Sequence, residues 1–244
     1  MIKVGIDIGG TFTDFIVISN NKLYKNKVLT SVENPYISFI DGLNEIFNRN
    51  QLDKNKIEII IHGTTLFTNK LIERKGTIPI FITTKGFIDI LDMQNEMRYD
   101  IYDLHADEVK HLVPKFMRFE VDERVDSSGK IHKKINTKVF TQLLNKLSKI
   151  KNIDRSNSVA ICLLNSFINP ENEFILKNII SVKFPDVNIS LSNEISPLIR
   201  EYERMSTTIC NAYIQPLANN YLDNIVLNLE KNKYTSPLRL MLSS

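Results

Sequence analysis

The feature that most constrains this chain is the pair Gly9-Gly10, set between short β-branched runs at 2–8 and 13–19. Apolar runs on both sides of a glycine break predict two strands joined by a tight turn. A third strand is expected over 22–29, after Asn20-Asn21. A turn between two strands excludes the dinucleotide fingerprint and the Walker-type loop, because both need a helix directly after the glycines. The residues in and around the turn, Asp7-Ile-Gly9-Gly10-Thr11-Phe-Thr13-Asp14, still have the chemistry of a phosphate cradle. Glycines at 9 and 10 let the backbone approach an anion and turn N–H groups toward it. The hydroxyls of Thr11 and Thr13 can donate to phosphate oxygens. Asp7, at the end of a buried strand, can hold Mg²⁺ through water. A tight turn capped by Asp7 and Asp14 is the competing, purely structural reading.

The rest of the chain alternates strand and helix. Asn34-Pro35 opens a helix to about Asn48, with Ile37, Phe39, Ile40, Leu43, Ile46 and Phe47 as its buried side. Strands are expected at 57–61 and 78–83, and helices from about Thr65 to Arg74 and from Gly86 to Leu91. Residues 92–135 read as an irregular insertion with a hairpin at Asp126-Ser-Ser-Gly129. A helix over 137–149 follows, with Val139, Phe140, Leu143, Leu144 and Leu147 at helical spacing. A strand over 158–164, a helix from Asn169-Pro170 to about Lys183 and a strand at 187–191 complete this block. From Arg200, Tyr202, Met205, Ile209, Ala212, Leu217, Tyr221, Ile225 and Leu229 recur at helical spacing, and Pro216 should kink or split that helix. The last strand, 238–242, is followed only by Ser243-Ser244, so the chain reads as a piece of something longer. Strand, helix, strand in this order predicts an α/β layer structure.

Composition narrows the function classes. The 31 basic residues against 28 acidic ones give a net charge of +3, too balanced for a nucleic-acid protein. With 43% apolar residues and 24% charged, and only 8 Gly and 8 Pro, the chain is globular and not low-complexity. Uninterrupted apolar stretches are too short for a membrane span. The amino end lacks the apolar core and cleavage site of a secretory signal, so the cytoplasm is expected. Cys162 and Cys210 lie in apolar runs without CxxC spacing and read as buried thiols.

Further segments carry polar residues in motif-like clusters. These are His62-Gly63-Thr64-Thr65 with Thr68-Asn69, Arg74-Lys75-Gly76, Thr83-Thr84-Lys85-Gly86-Phe87 with Asp89, and Glu123-Arg124-Val125-Asp126. The last are Arg200-Glu201-Tyr202-Glu203-Arg204, Ser206-Thr207-Thr208 and Asn211-Ala212-Tyr213. The opening loop resembles the first phosphate loop of the actin-like ATPase superfamily. With the other motifs, in order along the whole chain, it resembles the N-terminal region of the hydantoinase A/5-oxoprolinase family.

That resemblance implies an α/β fold, the actin-like ATPase (ribonuclease H-like) N-terminal lobe, with a mixed five-stranded sheet, helices and an α/β insertion. It implies one domain over 1–198, with the irregular insertion at about 92–135, and over 199–244 the truncated start of a second lobe. The implied function is the N-terminal portion of an ATP-dependent hydrolase. It would activate a cyclic amide, of hydantoin or 5-oxoproline type, by phosphorylation for ring opening. The cofactors implied are ATP and Mg²⁺. The superfamily's second phosphate loop lies in the second lobe, and this chain holds a single DxGGT copy, so alone it is expected to bind ATP weakly and to be inactive. The alternatives are a small-molecule kinase of the same superfamily, a ketone carboxylase subunit and a non-catalytic fragment. Besides the substrate, a hydantoinase B-type subunit is the partner implied. A homo-oligomer stays open, and neither nucleic acid nor a membrane is expected.

Candidate site residues follow. Asp7, His62 and Thr65 are the catalytic candidates, with Asp7 also the metal candidate; Gly9, Gly10, Thr11 and Thr13 bind the nucleotide. His62 directly follows strand 57–61, where the carboxyl ends of parallel strands place ligands. Thr64 or Thr65 would cap the next helix. A capping His-Gly turn without chemistry is the alternative for His62. Thr83, Thr84 and Lys85 could wall a cleft, although a solvated lysine is the plainer reading of Lys85. Arg98 could bind a carboxylate or sit in a surface salt bridge. Glu201, Glu203 and Arg204 suit a helix start, with Arg204 and Thr207 alternatively facing a cleft. The run Asp103-Leu-His105-Ala-Asp107-Glu108 with His111 has no zincin spacing and reads as surface, as does His132.

Overall fold

The computed structural model describes residues 1–95, 102, 110–147 and 158–241. In chain order the elements are β1 (Ile2–Ile8), β2 (Phe12–Ser19), β3 (Lys22–Leu29), α1 (Pro35–Arg49), β4 (Ile57–Thr64) and α2 (Leu66–Ile72). Next come β5 (Ile80–Thr84), α3 (Ile90–Met93), β6 (Arg118–Val121), β7 (Arg124–Val125), β8 (Ile131–Lys133) and α4 (Thr137–Leu147). The chain continues through β9 (Ser158–Cys162), α5 (Glu171–Lys183), β10 (Asn188–Leu191), α6 (Ser192–Ile195), α7 (Glu201–Lys231) and β11 (Leu238–Leu240). Arg98 and the run 103–109 lie outside the described residues, as do the side chains of Val139, Leu143 and Leu147.

These elements form two compact units, one of residues 1–75 with 217–244 and the other of residues 76–216. The closing segment after Leu217 packs with the opening strands, and everything between is a unit of its own.

The first unit holds a five-stranded sheet in the order β11-β4-β1-β2-β3. β1, β2 and β3 are antiparallel neighbours, whereas β4 and β11 run parallel to β1. Asn20 and Asn21 join β2 to β3, both at positive φ (49° and 59°). Two positive-φ residues are what a type I′ hairpin turn requires, and asparagine tolerates that region. Alternation along β1 buries Ile2, Val4, Ile6 and Ile8 on one face. Against that face pack Phe39, Ile40, Leu43, Ile46 and Phe47 of α1 and Tyr221, Ile225 and Leu229 of α7. Ile37 falls to the side of this stripe and is exposed, unlike the expectation from spacing. Gly42 lets α1 sit directly on the Phe15 ring, since a Cβ there would lie 2.3 Å from it.

The second unit holds a four-stranded sheet in the order β10-β9-β5-β6, with every pair parallel. β5 and β9 are buried along their whole length, as strands covered on both faces must be. The stretch 92–135 is thus not wholly irregular. It supplies β6 as a sheet strand and the antiparallel β7–β8 hairpin around Asp126–Gly129.

Pro216 does not split α7, which runs unbroken from Glu201 to Lys231. A proline inside a helix removes one N–H and leaves the carbonyl four residues back without its donor. Here the Ser158 hydroxyl donates to the Ala212 carbonyl instead. The next carbonyl, of Tyr213, accepts from Thr77 N at 2.9 Å. With substitute donors in place, the helix tolerates the ring.

Candidate functional site

The parallel pairing of β1 with β4 sets their carboxyl ends side by side, Asp7 beside Gly63 and Ile8 beside Thr64. The antiparallel pairing with β2 puts Asp14 opposite Asp7. Both aspartates are exposed, on the face opposite the core. A Cβ at Gly63 would come within 3.4 Å of Asp7 Oδ1, so glycine there leaves the carboxylate room. Lys27 Nζ pairs with Asp14 at 2.7 Å and balances the two like charges.

The turn Gly9–Phe12 closes this end of the sheet, with Gly9 N donating to Phe12 O at 3.0 Å. Among the described residues no acceptor meets the N–H of Gly10 or Thr11. Gly10 and Thr11 are also exposed. Exposed, unpaired N–H groups beside a carboxylate that can carry a metal fit a phosphate with its counter-ion. Among the described residues no group of three His, Cys, Asp or Glu gathers to hold a metal. Asp7, with Asp14 opposite it paired to Lys27, would offer Mg²⁺ few protein ligands, and Mg²⁺ commonly keeps most of its waters.

Thr13 is different from Thr11. It is fully buried and its hydroxyl meets that of Thr30 at 2.9 Å, while Thr30 donates to Gly9 O at 3.0 Å. The Thr30 hydrogen is thus spent on the carbonyl, so Thr13 must donate to Thr30. Its hydroxyl anchors the turn from beneath, where a direct contact to phosphate was expected.

His62 pairs with Ile6 in register and shares its core face, opposite Asp7. It is 1% exposed. Nδ1 lies 3.3 Å from Ile6 O, and Nε2 lies 2.9 Å from the Tyr221 hydroxyl. A carbonyl only accepts, so Nδ1 carries the hydrogen and Nε2 accepts from tyrosine. Phe39 meets the ring edge-on at 5.3 Å. Burial lowers its pKa, although the Ile6 carbonyl and the Asp7 charge pull it back up. The ring was expected to line an open cleft; it lies in the core because β4 extends through it to Thr64 and alternation turns it inward.

The connection from β4 to α2 is stitched to the end of β1. Thr64 Oγ1 donates to Ile8 O at 3.1 Å and accepts from Leu66 N at 3.1 Å. Thr65 N reaches the same carbonyl at 3.4 Å. Thr65 holds the cap position without a side-chain cap bond, and it is exposed. One turn on, Asn69 lies beside the loop, its Nδ2 3.5 Å from where a Cβ on Gly10 would stand. The structure thus gathers Asp7, Gly9, Gly10, Thr11 and Thr65 at one end of the sheet, and turns Thr13 and His62 into the core. Thr30, 17 residues from Thr13, carries no motif signal in the sequence, and Tyr221, 159 residues from His62, reads there only as one of the helically spaced positions. Asn69 stood in a motif but carried no role.

Several polar motif residues of the second unit are enclosed. Thr84 is buried, with its hydroxyl against Glu123 and accepting from Leu164 N at 2.9 Å. Asn172 donates to the other Glu123 oxygen at 2.6 Å. Arg204 is 0% exposed and donates to Leu163 O at 3.2 Å, to Ser192 at 2.6 Å and to Ser166. Glu173 accepts from Leu163 N, Asn193 N and both serines. Burial raises the pKa of Glu123 and Glu173, against these hydrogen bonds. The Cys162 thiol, fully buried nearby, is pushed up to about 12. Thr207 is exposed and bonds its own helix at Glu203 O, and Lys85 is exposed.

A family model for the hydantoinase/oxoprolinase N-terminal region matches residues 3–184. The chain belongs to this family. An uncharacterized protein of Methanocaldococcus jannaschii is 35% identical over 99% of the chain, which covers 35% of that relative. The caprolactamase alpha subunit of Pseudomonas jessenii is 29% identical, again with 99% and 35% coverage. The crystal structure of the ATP-dependent caprolactamase superposes over 98% of the chain with a TM-score of 0.84 and 27% identity, and 35% of that chain is covered. Acetone carboxylase, at 22% identity and a TM-score of 0.82, shares the fold over 98% of this chain and 36% of its own. This hydantoinase/oxoprolinase-family chain therefore spans about a third of the length of these relatives. Its α/β fold, with the mixed five-stranded sheet, is that of the actin-like ATPase N-terminal lobe. Among the described residues no helix is long and apolar enough to cross a membrane.

Proposed function

We propose that this chain is the N-terminal portion of an ATP-dependent enzyme that phosphorylates a cyclic amide on its carbonyl oxygen to prepare ring opening. An amide carbonyl is resonance-stabilised and resists water; a phosphorylated oxygen is a good leaving group on an electrophilic carbon. The protein's task is then positioning and charge neutralisation around the transferred phosphate. The observation that carries this reading is the exposed turn with unpaired N–H groups at Gly10 and Thr11, next to the Asp7 carboxylate. Gly10 and Thr11 would hold phosphate oxygens, and Asp7 would hold Mg²⁺ through water. The magnesium would neutralise phosphate charge. Thr13 and His62 would act on this site only by fixing the turn and the β1–β4 pair. A caprolactamase among the relatives supports a lactam-type substrate, and its naming as an alpha subunit supports a partner of hydantoinase B type.

The test is ADP release by the chain carried in a polypeptide of the relatives' length, with and without the second subunit. Hydantoin, 5-oxoproline and caprolactam are offered in turn. Amide-stimulated ADP release that falls about 100-fold in Asp7→Asn is expected, the scale for losing a charge-stabilising group. Stimulation by a hydroxyl acceptor with a stable phosphorylated product would make the protein a kinase instead. Stimulation only by a ketone with bicarbonate would make it a carboxylase.

A further inference from the structure

The Asn69 side chain belongs to none of the roles assigned above. It is half-buried, and among the described residues no hydrogen-bond partner meets its carboxamide. Its backbone is fixed: Asn69 N donates to Thr65 O at 3.0 Å, and its carbonyl accepts from Glu73 N at 2.8 Å. The helix that carries it is tied to the end of β1 through Thr64 and Ile8. The side chain therefore stands on a rigid base beside the glycine turn. Its amide atoms are not among the buried polar atoms left without a partner, so they reach solvent and are free to meet a ligand.

The amide lies beside the turn: a Cβ at residue 10 would stand 3.5 Å from Asn69 Nδ2, in ordinary contact with it. The exposed Gly10 and Thr11 of the same turn carry the unpaired N–H groups. All three are donors, and the carboxamide carries no charge that would repel an anion.

We propose that Asn69 is a further phosphate-binding residue, its side-chain NH₂ donating to a non-bridging oxygen of the phosphate chain that the Gly10–Thr11 turn cradles. This rests on the turn being a phosphate site, as proposed above. The ligand class is a nucleoside triphosphate, recognised here through its phosphates.

Inorganic triphosphate with Mg²⁺ is the probe, titrated to millimolar concentration into the ¹⁵N-labelled chain. Backbone amides and the Asn69 side-chain NH₂ are followed by nuclear magnetic resonance. The Gly10 and Thr11 amides and the Asn69 NH₂ are expected to shift together along one binding curve. Asn69→Asp, nearly the same shape, should weaken binding at least 10-fold, because it replaces donors with a like charge. Asn69→Ala should weaken it several-fold. The thermal midpoint of both Asn69 variants should stay near that of the parent, since no side-chain hydrogen bond among the described residues is lost. If Gly10 and Thr11 shift while the Asn69 NH₂ stays still and Asn69→Ala binds normally, Asn69 has no such role and the turn remains a phosphate site. If no resonance of the turn responds, the reading of the turn itself fails, and this inference with it.

Discussion

The two units treat their polar motif residues in opposite ways. In the first, Asp7, Gly10, Thr11 and Thr65 face solvent, and the turn keeps unpaired donors. In the second, Thr84, Glu123, Glu173 and Arg204 are buried and bonded to neighbours, although Arg204 Nε and Nη1 meet no hydrogen-bond acceptor among the described residues. A ligand site needs unmet donors at a surface, whereas a scaffold needs met ones inside. Residue type does not separate the cases; burial and partner count do. His62 shows it within the first unit, a histidine at a strand end whose two nitrogens are both spoken for.

The strongest way to break the contrast is Arg204→Ala. Removing a fully buried guanidinium leaves Leu163 O, Ser166 and Ser192 without their donor and Glu201 without its ion-pair partner. A loss of about 3–5 kcal/mol in denaturant unfolding is expected. Arg204→Met combined with Glu173→Gln should recover part of that loss, because the carboxyl group that shares Ser166 and Ser192 with Arg204 loses its charge too. A cost near zero for Arg204→Ala would mean that the network does not hold the second unit together.

A smaller effect is expected from Tyr221→Phe, which removes the donor to His62 Nε2. The cost should be about 1–3 kcal/mol in unfolding, the penalty for leaving the buried Nε2 without its donor. Triphosphate affinity should not change. A several-fold loss of affinity would bring His62 back toward the site and blur the contrast.

The smallest effect is a pH response of opposite sign in the two units. Burial lowers the His62 pKa below its ordinary 6.5, so its contribution is complete above 6.5 and is lost as pH falls through the lower folded value. Glu123 and Glu173 are raised above their ordinary 4.5. Their contribution is complete below 4.5 and is lost as pH rises through the raised folded values. On acidification, amide-exchange protection corrected for intrinsic rates should therefore fall around β4 and rise around β9 and α5. Protection moving the same way in both places would show that other groups dominate.

Much of the fold was legible in the sequence because it rests on local signals. Gly9-Gly10 and Asn20-Asn21 marked the turns, and Pro35 and Pro170 marked helix starts, all through backbone rules that act within a few residues. The single unbroken α7 was not legible, because the donors that rescue Pro216 come from Ser158 and Thr77, far along the chain. The same holds for the unit boundary, since residues 217–244 return to strands laid down at the start.

At the site, the amino-acid order by itself determined the loop: a glycine pair between strands, with Asp7 and Thr11 on the pleat and turn positions that face outward. Tertiary structure alone decided which neighbours that loop has. Strand alternation sent Thr13 and His62 inward to Thr30 and Tyr221, and the β1–β4 pairing brought Asn69 alongside Gly10. The physical reason is range. Turn chemistry is written in adjacent residues, whereas whether a hydroxyl, imidazole or carboxamide is free for a ligand depends on partners supplied by distant segments.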